Sequence, residues 1–303
     1  MPEVKVKIWT REVERAVTHA DEATFLDGIT DKSRYVSPVG VGSSTQGAVI
    51  ASTFFGVQPD VLINNTTYPI PIQALEGEEV NISLDKFQTK ATPITDDELY
   101  AIAYDKMAEV KTSHAEAIAE NKHDKAIHAL APAGGGTTIV LATTGADDGT
   151  GRKRLLRINI LALKNAMDKA KMPKKGRRLV LCDDHINDLL VDDQNFSDQY
   201  YNYQTGKIAN LYGFEVFEYS ANPIFTAAGL KKSFGAVAVA GEYQASVAFV
   251  KQRAVKASGE TKMYYSKAET DTAYQQSLIN FRHYFIVLPT KVDTRAAIRS
   301  AAV

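Results

Sequence analysis

The sequence lacks several features that would point to a particular chemistry. Cys182 is its only cysteine, which excludes an intrachain disulfide and a metal site built from several cysteines. The formal net charge is −1, whereas a protein that grips nucleic acid over a broad face is usually basic. No run approaches ~18 consecutive apolar residues, and the N-terminus has no apolar core of a secretory signal. We therefore expect a protein that is made in the cytosol, does not cross a membrane and contacts DNA only locally or weakly.

Motifs of common enzyme classes are also missing. Glycine-rich stretches occur at residues 40–45, 134–139 and 149–154, but none has the spacing of a dinucleotide fingerprint or a phosphate-binding loop. The chain has neither the G-x-S-x-G nucleophile elbow nor the H-E-x-x-H zinc motif. We interpret the three stretches as turns and expect no cofactor.

The candidate ligand and acid–base residues form weak patterns. His114, His123 and His128 are separated by nine and five residues, which does not align a metal pair on one helix face, so we expect solvated histidines. Residues 182–185 (CDDH) are consecutive and point in different directions. We interpret Cys182 as a buried thiol at a strand end, and Asp183 or Asp184 as the cap of the next helix. No catalytic or metal-binding residue is predicted.

Two features could contact nucleic acid, and each has a simpler interpretation. The basic run at residues 171–178 could touch phosphates, but a solvated turn between a helix and a strand explains it equally well. Tyr200, Tyr201 and Tyr203 could stack on bases. Tyrosine is also enriched at protein interfaces, so we favour a loop that packs against neighbouring molecules.

The residues that are present indicate a globular protein of mixed structure. The chain is 45% hydrophobic and 23% charged, as is typical of globular domains. Residues 46–93 have strand-like stretches, including an alternation at Val80, Ile82 and Leu84, and predict a long β-hairpin. Pro69 and Pro71 make the outgoing side an edge strand or a free ribbon. Because a lone hairpin is barely stable in water, we expect it to pack on a partner chain.

The clearest local signal is a long amphipathic helix that begins after Thr95. Thr95 and Glu98 have the spacing of a capping box, and about 30 residues would give a rod of roughly 45 Å. Beyond it we predict strands at residues 138–144, 179–183 and 234–241, and helices at 152–171 and 242–250. The last part of the chain is predicted to be mostly strand, which makes the fold class α+β.

This order of elements resembles the major capsid proteins of tailed bacteriophages, which have the Hong Kong 97 fold. Residues 80–110 look like the return strand of that family's extended loop running into its spine helix. Residues 157–196 resemble the helix–strand–helix passage of its axial domain, and residues 206–225 resemble the segment that follows. The resemblance covers residues 45–292, and its specificity lies in the order of the pieces.

The resemblance implies a domain organisation. It divides the chain into an N-terminal arm (1–45), an extended β-hairpin loop (46–93), a peripheral domain with the spine helix (94–136), an axial domain (137–242) and returning strands (243–303). In the axial domain, Phe214 and Val216 should face the core, and Phe217 and Tyr219 the opposite side. The arm and the hairpin should lie on neighbouring subunits. The expected inter-subunit contacts are Trp9, Tyr68, Pro69, Ile70, Pro71, Glu78, Glu79, Tyr200, Tyr201 and Tyr203.

The resemblance also implies a function. The chain would be a homo-oligomeric shell subunit that forms the pentamers and hexamers of an icosahedral virion capsid. The capsid would enclose double-stranded DNA, contact it weakly and assemble in the host bacterial cytoplasm. Scaffold, portal and decoration proteins are further partners of such shells. Some relatives cross-link a lysine to an asparagine, but no motif around Lys86 or Lys90 supports that chemistry here.

Two alternatives stay open at this point. An encapsulin-like nanocompartment shell has the same fold and packages a cargo enzyme instead of a genome. A soluble α+β enzyme with an unrecognised site belongs to a different class. Such an enzyme would have to contain a substrate-sized pocket with converging polar groups, and it would leave the hairpin and the arm exposed.

Overall fold

A computed structural model describes the chain at residues 21–38, 48–55, 64–66, 68–70, 77–95, 106–136, 138–192, 201–202, 207–208, 210–270, 273–291 and 294–303. Helices and strands mix within these residues, as the predicted α+β class requires. The α-helices are α1 (Lys106–Leu130), α2 (Arg157–Lys169) and α3 (Asp183–Asp192). Short 3₁₀ turns lie at Asp21–Leu26, Ser33–Tyr35, Lys251–Arg253 and Ala268–Thr270.

The strands of the described residues fall into four sheets. In chain order they are β1 (Thr30–Asp31), β2 (Val36–Pro38), β3 (Ala48–Phe55), β4 (Gly77–Ser83), β5 (Asp85–Gln88), β6 (Thr92–Thr95), β7 (Ile139–Ala142), β8 (Arg177–Leu181), β9 (Tyr201–Asn202), β10 (Lys207–Ile208), β11 (Glu215–Glu218), β12 (Ile224–Phe225), β13 (Tyr243–Val250), β14 (Ala254–Ser258), β15 (Lys262–Ser266), β16 (Gln276–Pro289) and β17 (Arg295–Arg299).

The first sheet is built around the long strand β16. Strands β14 and β15 pair one after the other along one edge of β16, and β5 and β6 pair along the opposite edge, all of them antiparallel. Helix α1 lies on this sheet. Its residues Met107, Ala115 and Ile118 share a buried cluster with Ile279 and Phe281 of β16. The predicted spine helix therefore has a physical role, because it closes the apolar face of the sheet.

The second sheet forms the other half of the fold. Its order is β11-β8-β13-β17-β7, with β12 added beside β13. One face packs against α2 and α3, where Leu163 and Leu189 join Leu179 of β8 in one buried cluster. The opposite face joins a cluster that contains Ile127 and Leu130 of α1. A sheet covered on both faces buries the side chains on both sides of its strands, and β8 is buried at all five positions, Arg177 and Arg178 included.

Strand β13 corrects one prediction. Residues 242–250 were expected to form a short helix and residues 234–241 a strand, but Tyr243–Val250 is a strand and 234–241 is irregular. Val247 and Phe249 enter one core cluster while Ala248 and Val250 enter the other. A strand buried on both faces has a continuous apolar sequence, so its period does not separate it from a buried helix.

The predicted hairpin is present. Strands β3 and β4 pair antiparallel from Val49 opposite Ser83 to Phe55 opposite Gly77. Strand β2 pairs on the other side of β3, and the three strands make a sheet of their own. At about 3.4 Å per residue the eight residues of β3 span roughly 27 Å. The hairpin is thus a ribbon that belongs to neither six-stranded sheet.

Part of the predicted arm packs on the chain's own core. Phe25, Leu26 and Ile29 are buried in the cluster that joins the two sheets, and β1 pairs with β14. The expectation that residues 1–45 lie on another molecule is therefore wrong for this stretch. Phe25 contacts the Tyr219 ring edge-on at 5.2 Å between centroids, and Phe217 of β11 and Tyr219 both pack against the cluster that contains Phe25. The division into five domain segments stays a prediction.

The ends of two helices differ from expectation. Helix α1 is described from Lys106, and Thr95 is the last residue of β6, while Glu98 lies outside the described residues, so the capping box stays a prediction. The carbonyl of Cys182 accepts hydrogen bonds from the amides of His185 and Ile186. Helix α3 therefore begins before the expected caps. Asp183 and Asp184 occupy its first turn, where a carboxylate suits the helix dipole.

Candidate assembly surfaces

The hairpin carries the first group of predicted contact residues. Tyr68 and Ile70 are 74% and 56% exposed, and Pro69 between them is exposed as well. Glu78 and Glu79 pair with Phe54 and Thr53 near the far end of the β3–β4 ladder. Pro71 lies outside the described residues. The described part of this group is compatible with a contact surface, but the contacts themselves stay a prediction.

The tyrosine-rich loop carries the second group. Tyr201 begins β9 and pairs with Ile208 of β10, so this segment is a small two-stranded ribbon. Tyr200 and Tyr203 lie outside the described residues, as does Trp9 of the arm. Downstream, Gly213 adopts a φ of +85° in the turn before β11, a conformation that favours glycine. Phe214 and Val216 then pack on the core side, as predicted.

An exposed apolar loop was missed by the sequence analysis. It spans residues 230–241, which we name the Val237 loop. Val237 is 82% exposed, and Leu230, Phe234 and Val239 are also exposed. The alternation of valine with alanine at residues 236–240 suggested a strand. Gly235 and Gly241 flank this alternation, and their φ angles of +79° and +82° are typical of a loop rather than a strand.

A groove between α1 and the β5–β6 edge is the second surface that sequence analysis missed. It has a volume of about 620 Å³ and its lining includes Lys86, Lys90, Lys125 and His114, and we name it the lysine groove. Lys125 forms an ion pair with Asp85 at 2.7 Å. Among the described residues no carboxylate lines the groove, so its charge is positive.

The histidines of α1 correct another expectation. His114 and His123 are 8% and 6% exposed rather than solvated. Burial lowers the pKa of His114, and burial together with the nearby Lys122 and Lys256 lowers the pKa of His123 to about 4. Both imidazoles are therefore neutral near pH 7. Because both side chains are polar, the sequence did not predict that they lie on the face of α1 that packs on the sheet.

A buried polar network ties the second sheet to its helices. Arg152 donates two hydrogen bonds to the Asp188 carboxylate, at 2.7 and 2.9 Å, and the Leu155 amide donates a third at 2.8 Å. Asp148 accepts from Arg152 Nε at 2.9 Å. Hydrogen bonds with Thr150, followed by the charge of Arg152, lower the pKa of Asp148 to about 2. Residues 147–151 (DDGTG) therefore form a structural turn, as predicted for the glycine-rich stretch that begins at residue 149.

The residues of the CDDH stretch have structural partners. His185 is fully buried, with Nδ1 2.6 Å from Ser246 Oγ and Nε2 2.9 Å from Ser300 Oγ. Burial raises the pKa of the Cys182 thiol to about 12. A thiol at this pKa stays protonated and unreactive near neutral pH, which confirms the predicted buried thiol at a strand end.

The basic run at residues 171–178 is only partly available to a ligand. Arg177 donates to the carbonyls of Met172 and Pro173. Arg178 donates to the Phe25 carbonyl and to Glu215. Both arginines are buried, so the cations left on the surface of this run are lysines such as Lys174 and Lys175. The run is a turn that ties α2, β8 and the N-terminal segment together.

The described residues contain neither a metal-binding cluster nor a membrane-spanning helix. Within them, no group of three or more histidine, cysteine, aspartate or glutamate side chains is arranged to hold a metal ion. The helices found there are too short or too polar to cross a membrane.

Comparison with known proteins identifies the family. A family model described as phage capsid protein matches residues 77–300, which is well over half of the chain. The match begins at β4 of the hairpin and ends after β17, so it includes the whole second sheet and all strands of the first sheet except β1. No curated protein matches the sequence.

Solved structures share the fold at low sequence identity. The capsid of the cyanophage P-SCSP1u is 17% identical with a TM-score of 0.59, over 92% of this chain and 88% of that one. The mature capsid of bacteriophage PhiM1 is 14% identical with a TM-score of 0.58, over 91% and 86%. A virus-like particle from Pyrococcus furiosus is 8% identical with a TM-score of 0.52, over 97% and 99%. These likenesses establish the predicted Hong Kong 97-type fold.

The family match decides among the three functions left open by the sequence. It favours a phage capsid over an encapsulin-like compartment, and it indicates a structural protein rather than an enzyme. The long hairpin and the spine helix are the parts of a capsid subunit that the sequence predicted and the structure contains. The chain belongs to the phage capsid protein family and is a major capsid shell protein of the Hong Kong 97 type.

Proposed function

We propose that this chain is the repeating subunit of a tailed-phage head and assembles into the pentamers and hexamers of an icosahedral shell around double-stranded DNA. The observation that carries the proposal is the β3–β4 ribbon, which forms a sheet separate from both six-stranded sheets. An isolated hairpin is barely stable in water. A neighbouring subunit supplies the surface that stabilises it.

The mode of assembly follows from the kind of contact. A ribbon that lies on a neighbour is a head-to-tail contact, because the contacting patch differs from the contacted one. Such contacts generate rings when the rotation between subunits closes. Rings of five and six are the closed units that an icosahedral shell needs. Tyr68, Pro69, Ile70, Glu78 and Glu79 are the described residues that we place in this contact.

The shell would enclose the DNA without binding it tightly. The formal net charge is −1, and the two arginines of the basic run are buried and bonded within the subunit. Few counterions would be released on contact with phosphates, so we expect weak DNA binding with a small salt dependence. Scaffold, portal and decoration proteins, and assembly in the host cytoplasm, are further parts of this proposal.

The proposal is tested by shortening the ribbon. Residues 56–76 are replaced by Asn-Gly, which closes a two-residue hairpin turn after Phe55. The variant should keep the circular dichroism spectrum and melting temperature of the wild-type subunit but form no shells in negative-stain electron microscopy. Shells of normal size from this variant would refute the role of the ribbon. A variant with replacements Lys174→Ser and Lys175→Ser, in the exposed turn between α2 and β8, is the control and should assemble.

A further inference from the structure

The face of the first sheet that points away from α1 carries a positively charged cluster. Side chains alternate between the two faces of a strand. Because Phe281 of β16 packs with α1, Arg282 points to the opposite face. Lys262 of β15 and Gln88 of β5 pair with Arg282 from its two sides, and directly paired side chains lie on one face. We name this set the Arg282 cluster, and its members are Arg282, Tyr284, Tyr264, Lys262, Lys86 and Gln88.

Arg282 is held in place without using its hydrogen-bond donors. Its Cζ atom lies 5.2 Å from the centre of the Tyr264 ring and 5.3 Å from the centre of the Tyr284 ring. Its Nε atom is buried without a hydrogen-bond partner among the described residues, and Oδ1 of Asn280 on the same face also lacks one. No carboxylate in the described part of the chain forms an ion pair with Arg282. An arginine that is already ordered loses little conformational entropy when it binds a ligand.

Four other arginines of the fold have acceptors within the subunit. Each donates to a carboxylate or to a main-chain carbonyl, and they are Arg152, Arg177, Arg178 and Arg295. Arg282 therefore differs from the arginines that stabilise the fold. A buried N–H group without an acceptor is costly. An acceptor that comes from outside the subunit would remove this cost.

The charges around Arg282 favour a phosphate group over a carboxylate. Lys262 lies directly opposite Arg282, and Lys86 lies opposite Tyr284 on the edge strand β5, where it also borders the lysine groove. Glu260 forms an ion pair with Lys262 at 3.2 Å, which offsets one of the three positive charges. The remaining two exceed the single charge of a carboxylate and match a phosphate monoester, which carries about −2 at pH 7.

We propose that the Arg282 cluster binds a phosphate group, with Arg282 as the bidentate donor and Lys86 and Lys262 as flanking charges. Tyr264 and Tyr284 are positioning residues, because they hold the guanidinium and do not need to contact the ligand. The phosphate belongs either to a free phosphate compound or to the backbone of a DNA duplex, and the chemistry of recognition is the same for both. This inference goes beyond the proposed function, since a shell closes through contacts between proteins.

Calorimetric titration of unassembled subunits with pyrophosphate, at constant ionic strength, tests the site. Arg282→Gln should weaken binding about tenfold, because it removes the bidentate charged donor. Arg282→Lys keeps the charge but loses the planar fork, so its affinity should lie between those of the wild type and Arg282→Gln. Arg253→Gln removes the same charge from an exposed arginine and is the matched control, which should bind as the wild type does.

A variant of one ring separates the positioning of Arg282 from its charge. Tyr264→Leu leaves every charge in place, and the ring is 43% exposed, so the subunit should keep its melting temperature. Loss of one of the two cation–π contacts should weaken pyrophosphate binding about threefold. Equal affinities of the wild type and Arg282→Gln, with both folded by circular dichroism, would overturn the proposal. An unchanged affinity of Tyr264→Leu would overturn the positioning role of the ring.

Two competitors identify the source of the phosphate. A short DNA duplex that displaces pyrophosphate from the wild type, but does not bind Arg282→Gln, would assign the site to backbone phosphates. A duplex that does not compete would assign it to free phosphate compounds. Tighter binding of a hexaglutamate peptide than of pyrophosphate would overturn the choice of phosphate. All of these measurements use unassembled subunits, so their outcome does not depend on whether the protein forms shells.

Discussion

The Asp188→Asn substitution is the sharpest test of how the second sheet is held to its helices. The Asp188 carboxylate accepts two hydrogen bonds from Arg152 and one from the Leu155 amide, at 2.7, 2.9 and 2.8 Å. Both side chains of the pair are 6% exposed. Asparagine removes the negative charge, and its NH₂ group turns a donor towards groups that are donors themselves. The positive charge of Arg152 then stays buried with less compensation.

The expected loss can be estimated from the geometry. Removing one partner of a buried ion pair costs about 3–5 kcal/mol. Asp148 still contacts Arg152 Nε at 2.9 Å, so we expect the lower end, about 3 kcal/mol. The free energy of unfolding of a domain is only ~5–15 kcal/mol. The variant should therefore unfold at a urea concentration roughly 1 M lower, for an m-value near 3 kcal/mol per M.

The measurement is urea unfolding of unassembled subunits, followed by circular dichroism. Glu260→Gln is the matched control, because it makes the same change in an ion pair with Lys262 whose side chains are 65% and 47% exposed. This control should cost less than about 1 kcal/mol. The double variant Arg152→Met/Asp188→Leu removes both charges and should recover much of the loss. A loss for Asp188→Asn no larger than that for Glu260→Gln would refute the assigned role of the network.

Three further predictions concern buried polar groups. Burial lowers the pKa of His185 to about 4, so this histidine becomes protonated at a lower pH in the native state than in the unfolded state. The stability that comes from the neutral imidazole is therefore present above pH 6.5 and is lost as the pH falls towards 4. His185→Gln should reduce the slope of unfolding free energy against pH between 5 and 6 by about 1.4 kcal/mol per unit, and an unchanged slope would contradict this. Cys182 should resist iodoacetamide at pH 8 in the native subunit and react once urea unfolds it; fast native labelling would show that the thiol is accessible. Tyr219→Phe removes the hydrogen bond to Asp124 at 2.6 Å and should cost about 1–2 kcal/mol in urea unfolding, whereas Tyr264→Phe, at an exposed ring, is expected to cost less.

Much of the fold follows from local patterns in the sequence. The alternation at Val80, Ile82 and Leu84 predicted the return strand of the hairpin, and the amphipathic pattern after Thr95 predicted the long helix α1. Both patterns arise because one face of the element is apolar and the other is polar, so the period reports the structure directly. The flanks of Cys182 predicted its burial for a different reason, because the continuous apolar run before it is typical of a strand that is covered on both faces.

The features that escaped prediction depend on distant parts of the chain. The strand Tyr243–Val250 has no polar face, because α1 covers one side of its sheet and α2 and α3 the other. Phe25 lies in a segment with few apolar residues, and its burial depends on Tyr219, which is far away in sequence. The burial of His114 and His123 likewise requires knowledge of which face of α1 meets β16. Sequence periodicity reports only local structure, so it does not predict which distant residues cover these side chains.

The candidate surfaces were predicted less completely than the fold. Tyr68 and Ile70 were named from the sequence and are exposed. The lysine groove was not found, because Lys86 and Lys90 come from the β5–β6 edge and Lys125 and His114 from α1. Such a site exists only after the helix has packed on the sheet. The sequence around Lys86 and Lys90 predicts neither this site nor a cross-link, because no motif marks either lysine.

Electron microscopy of the purified protein tests the central claim most directly. The protein is concentrated alone and also co-expressed with the genes beside its own, and each preparation is imaged in negative stain after size-exclusion chromatography. The account predicts closed shells, tubes or rings of five or six subunits, with the hairpin of one subunit crossing onto the next. A uniform population of compact monomers in every one of these preparations would contradict it.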